Sequence, residues 1–203
     1  MTLMKKLVIA SNNAGKLREI TQLLVPLNIE MIAQSSLGIG EAEEPHCTFI
    51  ENALAKARHA SKQSGLPALA DDSGICLEAL NGAPGVQSAY FAGKPSNDAN
   101  NNTHILKMLK EHGNGNRFAH YYCCIVLVRR HDDPQPLIAE GIWQGAILKK
   151  PRGENGFGYD PIFMDSKTGK SGAELPLEIK NKISHRGQAM RKMLLLIENL
   201  PKD

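Results

Sequence analysis

Leu7-Val-Ile-Ala10 runs directly into Ser11-Asn-Asn-Ala-Gly-Lys16, and this junction decides the fold. The first four residues are a short apolar run that stops at a polar, glycine-containing turn, the mark of a buried strand. Leu17, Ile20 and Leu24 then recur at helical spacing until Pro26, whose ring and missing N–H stop the helix. Ile29 to Ala33 alternates as a second strand. A strand, a loop, a helix and a strand in that order predict an α/β fold.

Further along, Thr48-Phe-Ile-Glu51 is a capping box ahead of Ala53-Leu-Ala-Lys-Ala57, so a helix is expected to about Ser64, ended by Gly65-Leu-Pro67. Ala68-Leu-Ala70 reads as a strand that delivers Asp71-Asp-Ser-Gly74 at its end. A short strand, Ile75-Cys-Leu77, and a turn, Asn81-Gly-Ala-Pro-Gly85, follow. Asn97 to Asn102 opens a helix carrying Ile105, Leu106 and Leu109. Phe118 to Val128 is the longest strand candidate, and beyond the turn from His131 to Pro136, Leu137 to Leu148 returns as its antiparallel hairpin partner. With a parallel opening unit, the sheet is expected to be mixed. Lys149 to Tyr159, rich in glycine and charge, reads as a long functional loop. A last amphipathic helix from about Ser184 carries Met190, Met193, Leu194 and Ile197.

The 203 residues fit one domain, or one domain with a lobe attached, and can bury a core without disulfides or structural metal. The apolar start, Met1 to Ala10, stops too early for a signal peptide or a membrane span, and no other long apolar stretch exists; a soluble, unexported protein without a membrane partner is expected. Cys47, Cys76, Cys123 and Cys124 form no C-x-x-C pair, and the adjacent Cys123 and Cys124 read as buried free thiols, which suits the reducing cytoplasm. A formal charge of +3 permits an anionic ligand but lacks the dense basic stripe of a nucleic-acid binder.

Five segments carry candidate chemistry. Ser11, Asn12, Asn13, Ala14, Gly15 and Lys16 lie between a strand and a helix, where backbone amides and one lysine suit a phosphate; the plain alternative is a β-α turn with a solvated lysine. The segment is no Walker A loop, because Leu17 follows Lys16 and the earlier glycine is missing. Glu41, Glu43 and Glu44 crowd one loop, and Asp71 and Asp72 stand together elsewhere. Acidic groups from separate segments are what Mg²⁺ binds, and one such carboxylate can take a proton from water. The alternative is a solvated acidic loop with an Asx-turn. In Gly153-Glu-Asn-Gly-Phe-Gly-Tyr-Asp160 the rings of Phe157 and Tyr159 alternate with glycines, placed to stack on a base or to pack inward. Ser184 is an N-cap candidate, and His185 and Arg186 put cationic donors where they oppose the helix dipole, a conflict that favours binding. No metal-binding histidine pattern, serine-hydrolase elbow or dinucleotide fingerprint is present.

Taken in order, Ser11-Asn-Asn-Ala-Gly-Lys16, Glu19, Thr48-Phe-Ile-Glu-Asn52, Lys56-Ala-Arg58, Asp71-Asp-Ser-Gly74, Gly82-Ala-Pro-Gly85, Gly156-Phe-Gly-Tyr-Asp-Pro161 and Ile183-Ser-His-Arg-Gly187 resemble the inosine triphosphate pyrophosphatase family along nearly the whole chain. One departure is Tyr90-Phe91 after Ser88-Ala89, where relatives often carry Arg-Tyr. The resemblance implies an elongated mixed central sheet flanked by helices, two lobes with an active-site cleft between them, and a homodimer. It implies hydrolysis of the deaminated purine nucleotides ITP, dITP and XTP to monophosphate and pyrophosphate, which cleanses the pool used for DNA and RNA.

By the same resemblance, Ser11 to Lys16 hold the triphosphate and Glu43 with Asp72 hold Mg²⁺. Asp72 accepts the proton of the attacking water, and Ser73 contacts substrate. Phe157, Gly158, Tyr159, Asp160, Lys180, His185 and Arg186 surround the nucleotide, with Phe157 on the base. Donors on His185 and Arg186 suit the O6 acceptor of hypoxanthine or xanthine, whereas the amino group of adenine leaves a donor unpaired, at about 1–3 kcal/mol. Two rival readings are a nucleotide sensor without catalysis and a nucleic-acid module built on Lys149, Lys150 and Arg152; the weak net charge argues against the second.

Overall fold

The computed structural model describes residues 4–112 and 114–200, so Met1 to Leu3 of the apolar start lie outside the described residues. β1 (Lys6–Ile9) pairs in parallel with β2 (Glu30–Ala33), Leu7 opposite Met31, and with β3 (Ala68–Leu77), Val8 opposite Ala68. Between β1 and β2 runs α1 (Ala14–Leu24), which buries Ile20 and Leu24 and gives way to a 3-10 turn containing Pro26. Thr48 caps α2 (Phe49–Ser64) by accepting from the Glu51 amide, and Gly65, at φ +69, ends the helix in the left-handed conformation. The Glu51 carboxylate takes the Thr48 hydroxyl at 2.5 Å instead of its amide, so half of the expected capping box is made.

The later elements are α3 (Asp98–His112), β4 (Phe118–Val128), β5 (Leu137–Ile147), β6 (Phe163–Asp165), α4 (Leu177–Ile183) and α5 (His185–Glu198). The sheet order is β2-β1-β3-β4-β5-β6, and β6 runs antiparallel to β5 with Gly145 opposite Asp165. Parallel pairing at one end and antiparallel pairing at the other make the sheet mixed and the fold α/β, as expected.

Three elements differ from the sequence reading. Asp71-Asp72 does not close a strand; β3 continues through it to Leu77. Carboxylates disfavour strand interiors, but successive side chains leave opposite faces of a strand, and here each aspartate finds its own cation. The seven-residue α4 is too short to show a helical period, and the three-residue β6 too short to show alternation.

The chain divides into two compact units. The first takes the residues up to Asp72, Cys123–Gly141 and those from Arg186 onward; the second takes Ser73–Tyr122 and Ile142–His185. Leu7, Ile9, Ile20, Leu69, Ile125, Leu127, Met190 and Met193 fill the core of the first unit. In the second, Phe163 packs edge to face against Tyr121 and Trp143 with Ile75, Ile105 and Ile162 around them, and Trp143 Nε1 donates to Asp165 Oδ1 at 2.7 Å. All four cysteines are free, with Cys123 and Cys124 buried as expected. Among the described residues no helix is long and apolar enough to cross a membrane.

Charge is buried inside the first unit. Arg186, 2% exposed, donates from Nε to Asp71 Oδ2 at 3.0 Å and from Nη1 to Glu19 Oε2 at 2.5 Å, while Lys16 Nζ lies 2.6 Å from Asp71 Oδ1. The Cys123 thiol adds a further partner, donating to Asp71 Oδ2 at 2.9 Å. Two cations and two carboxylates balance, which is the condition for charge to remain inside a core. Replacing Arg186 by Met would remove the buried guanidinium from Glu19 and Asp71, and the expected loss in denaturant unfolding is about 3–5 kcal/mol. A loss below about 1 kcal/mol would show that the guanidinium does not hold this core.

Candidate active site

The turn after β1 is built from side chain to backbone bonds. Asn13, at φ −75 and ψ 112, caps α1 by accepting from the Lys16 amide at 2.9 Å, and Ser11 Oγ accepts from the Asn13 amide at 3.2 Å. Asn12 Oδ1 accepts from Gln34 at 3.1 Å, tying the turn to the segment after β2. No described residue accepts from the amides of Ala14 and Gly15 in the first turn of α1, so the donor-rich helix start expected from the sequence is present. Lys16 is not solvated, because its ammonium is held on Asp71.

The two aspartates of β3 have different surroundings. Burial alone would raise the Asp71 carboxyl, but Arg186 and Lys16 beside it hold it well below the ordinary carboxylate range. Asp72 is 4% exposed, and its Oδ1 accepts from Lys56 Nζ at 2.7 Å. Its Oδ2 is buried with no hydrogen-bond partner among the described residues. Burial pushes the Asp72 carboxyl above its ordinary value, against the pull of Lys56 and Lys16.

Lys56 was visible in the sequence only as part of a motif. It lies on α2, whose buried face carries the small residues Asn52, Ala53, Ala57, Ala60 and Ser61, and it bridges Asp72 to Glu44 at 3.0 Å. The acidic loop is brought there by Asn52, which accepts from the His46 amide at 3.1 Å and donates to the His46 carbonyl at 3.2 Å. Of the three loop glutamates, Glu44 is thus tied to Asp72 through Lys56; Glu43 is exposed and touches neither. Among the described residues, no three acidic, histidine or cysteine side chains converge as a complete metal cage.

In the second unit, the loop after β5 folds around Asp160. Its Oδ2 accepts from Lys180 Nζ at 2.6 Å and from the Phe157 amide at 2.9 Å, with both charged partners buried. Gly156, at φ +78, is required here, since a Cβ at that position would run into Asp160 Oδ2. The two rings of the loop part company. Tyr159 is 4% exposed, packs in the core and donates to the Ser88 carbonyl at 2.6 Å. Phe157 is half-buried, with Lys180 Nζ 4.9 Å from its ring centroid.

His185 and Arg186, read together in the sequence, part in the same way. The imidazole stacks on Tyr121 with centroids 4.5 Å apart and planes at 4°, in the second unit. The guanidinium turns to Asp71 and Glu19 in the first. Arg186 thus clamps Asp71, and the cation at the helix start faces buried carboxylates. Ser184 is buried between α4 and α5 with the extended backbone of a helix-start residue, and Ser73 follows Asp72 in β3, half-buried. At the departure site Tyr90, Lys94 lies over the ring at 5.1 Å.

The Ham1 family model matches residues 7–196. A dITP/XTP pyrophosphatase of Nitrosomonas europaea is 59% identical over 97% of this chain and 96% of its own length. Among solved structures, a HAM1 protein from Coxiella burnetii aligns with a TM-score of 0.90 at 47% identity, covering 96% of this chain and 99% of its own. The Ham1 protein of Staphylococcus aureus aligns at 0.85 and 36% identity, covering 97% and 100%. The family model, the identity over nearly the whole chain and the shared fold agree, and the chain belongs to the Ham1 family.

Proposed function

We propose that this protein hydrolyses the non-standard purine nucleotides ITP, dITP and XTP to the monophosphate and pyrophosphate, with Asp72 as the proton acceptor. The observation that carries the reading is the Asp72 carboxylate, anchored by Lys56 through one oxygen and buried without a partner at the other. A carboxyl raised above its ordinary value by burial is a stronger base than a solvated one, and a fixed orientation directs the proton transfer.

The donors near Asp72 also fit a hard divalent cation. They are all carboxylate oxygens, one of them orphaned in the interior. Asp72 with Glu43 or Glu44 would hold Mg²⁺, and of the two glutamates Glu44 is the one already linked to Asp72 through Lys56. When bound, such an ion neutralises phosphate charge during attack at the α-phosphorus.

The remaining roles fall on the chain's own groups. Ser11, Asn12, Asn13 and the open amides of Ala14 and Gly15 take the phosphates, and Ser73 adds a hydroxyl. Lys16 contributes charge from its seat on Asp71, which Arg186 holds in place. Phe157 stacks on the base, while the Asp160–Lys180 pair and Gly158 fix its loop. His185, kept flat by Tyr121, supplies a donor to O6 that adenine cannot satisfy. Tyr159 serves as the inner anchor of the loop. The whole chain, 1–203, acts as one catalytic domain in the cytoplasm, as a homodimer, and without a stable nucleic-acid partner.

A nucleotide panel tests this reading. With Mg²⁺, pyrophosphate release from ITP, dITP and XTP should exceed that from ATP by at least about a hundredfold in kcat/KM, and GTP should also be poor. Orthophosphate as the first product would contradict the cleavage position, and equal rates on ATP would contradict the base reading. Phe157→Ala should raise KM for ITP about tenfold or more and leave kcat nearly unchanged; an unaltered KM would remove the ring from the base.

A further inference from the structure

We propose that Asp98 and Asn102 of α3 are positioning residues for base recognition, gripping Gly158 from both sides and so fixing the direction of the Phe157 ring. Asp98 Oδ2 accepts from the Gly158 amide at 2.6 Å, and Asn102 Nδ2 donates to the Gly158 carbonyl at 3.1 Å. The two residues are four apart on the helix and therefore share one face. The inference rests on the reading of Phe157 as the stacking ring.

The rest of the loop shows why this grip matters. Phe157 and Asp160 are bonded to each other through the Phe157 amide and the Asp160 carboxylate, and through the Asp160 amide and the Phe157 carbonyl at 3.2 Å. Tyr159 is anchored by its hydroxyl on Ser88. Gly158 is the residue at the turn of this segment, at φ +62, where a free glycine visits many conformations. The hydrogen bonds that hold it come from α3, 60 and 56 residues earlier in the chain. Rotation at Gly158 would swing the chain next to Phe157, so the clamp removes motion that would otherwise be frozen on binding.

Charge and burial support the same role. Asp98 occupies the first turn of α3, where the helix dipole favours a carboxylate, and a charged acceptor makes the stronger hydrogen bond to an amide. Its charge also reaches Tyr159, whose hydroxyl is pushed above its ordinary value by burial and then by Asp98. Asp98 is exposed, so its substitution leaves the core intact.

The test combines steady-state kinetics with amide hydrogen exchange on the full chain. Asp98→Ala and Asn102→Ala should each raise KM for ITP about tenfold, with kcat within about twofold of wild type. Asp98→Asn, which keeps an acceptor, should restore most of the lost affinity. Exchange at the Gly158 amide should accelerate in Asp98→Ala while the unfolding midpoint stays at the wild-type value. In a Phe157→Ala background the Asp98→Ala change should raise KM no further, because the ring it positions is gone. Unchanged exchange at Gly158 would overturn the clamp itself. Faster exchange with unaltered KM would overturn its role in base binding. If Phe157→Ala alone leaves KM unchanged, the stacking reading is overturned and this inference with it, a result separable from either failure of the clamp.

Discussion

Two adjacent carboxylates inside one strand are the constraint on which the rest of this molecule depends. Asp71 and Asp72 sit in β3 with almost no exposure, where unpaired charge would cost several kcal/mol each. The strand pleat sends them to opposite faces, and the chain answers them separately. Asp71 receives Arg186 and Lys16, together with the Cys123 thiol, and is satisfied on both oxygens. Asp72 takes a hydrogen bond from Lys56 through one oxygen, while the other has no hydrogen-bond partner among the described residues. The same dipeptide thus contains a structural carboxylate and an open one, and the difference lies in the number of cations each meets.

That arrangement explains several choices far away in sequence. Lys16 must follow β1 closely to reach Asp71, which fixes the length of the turn that also presents the Ala14 and Gly15 amides. Arg186 must open α5 to reach both Asp71 and Glu19. The small residues on the inner face of α2 accompany a lysine that reaches β3, and Asn52 on the same helix holds the loop that carries Glu44. In the second unit Asp160 does for the Phe157 loop what Arg186 does for β3. One buried charge organises a loop by accepting from a lysine and a backbone amide together.

Much of this was legible in the sequence, for definite reasons. The period of Leu17, Ile20 and Leu24, the Thr48 cap and the long apolar run from Phe118 located their elements to within a residue or two. The site segments also stood out as polar clusters beside glycines. What the sequence could not show was which partner each polar group would choose. Arg186 read as a ligand donor because a cation at a helix start lacks a local reason, and its reason lies in Asp71, 115 residues earlier. Tyr159 and Phe157 are indistinguishable as aromatic residues between glycines, and only the reach of the Tyr159 hydroxyl to Ser88 separates them. Lys56 and Asn102 look like ordinary polar residues on amphipathic helices until the strand and loop they meet are in place.

The division of labour between the two aspartates is the central claim, and turnover of Asp72→Asn with ITP and Mg²⁺, measured on protein of known unfolding midpoint, tests it most directly. The isosteric amide keeps the side chain's shape but can neither accept the proton nor carry the charge. Loss of at least about a hundredfold in kcat, with a midpoint matching wild type, is the predicted result. Near-normal turnover in a folded Asp72→Asn protein would contradict the account.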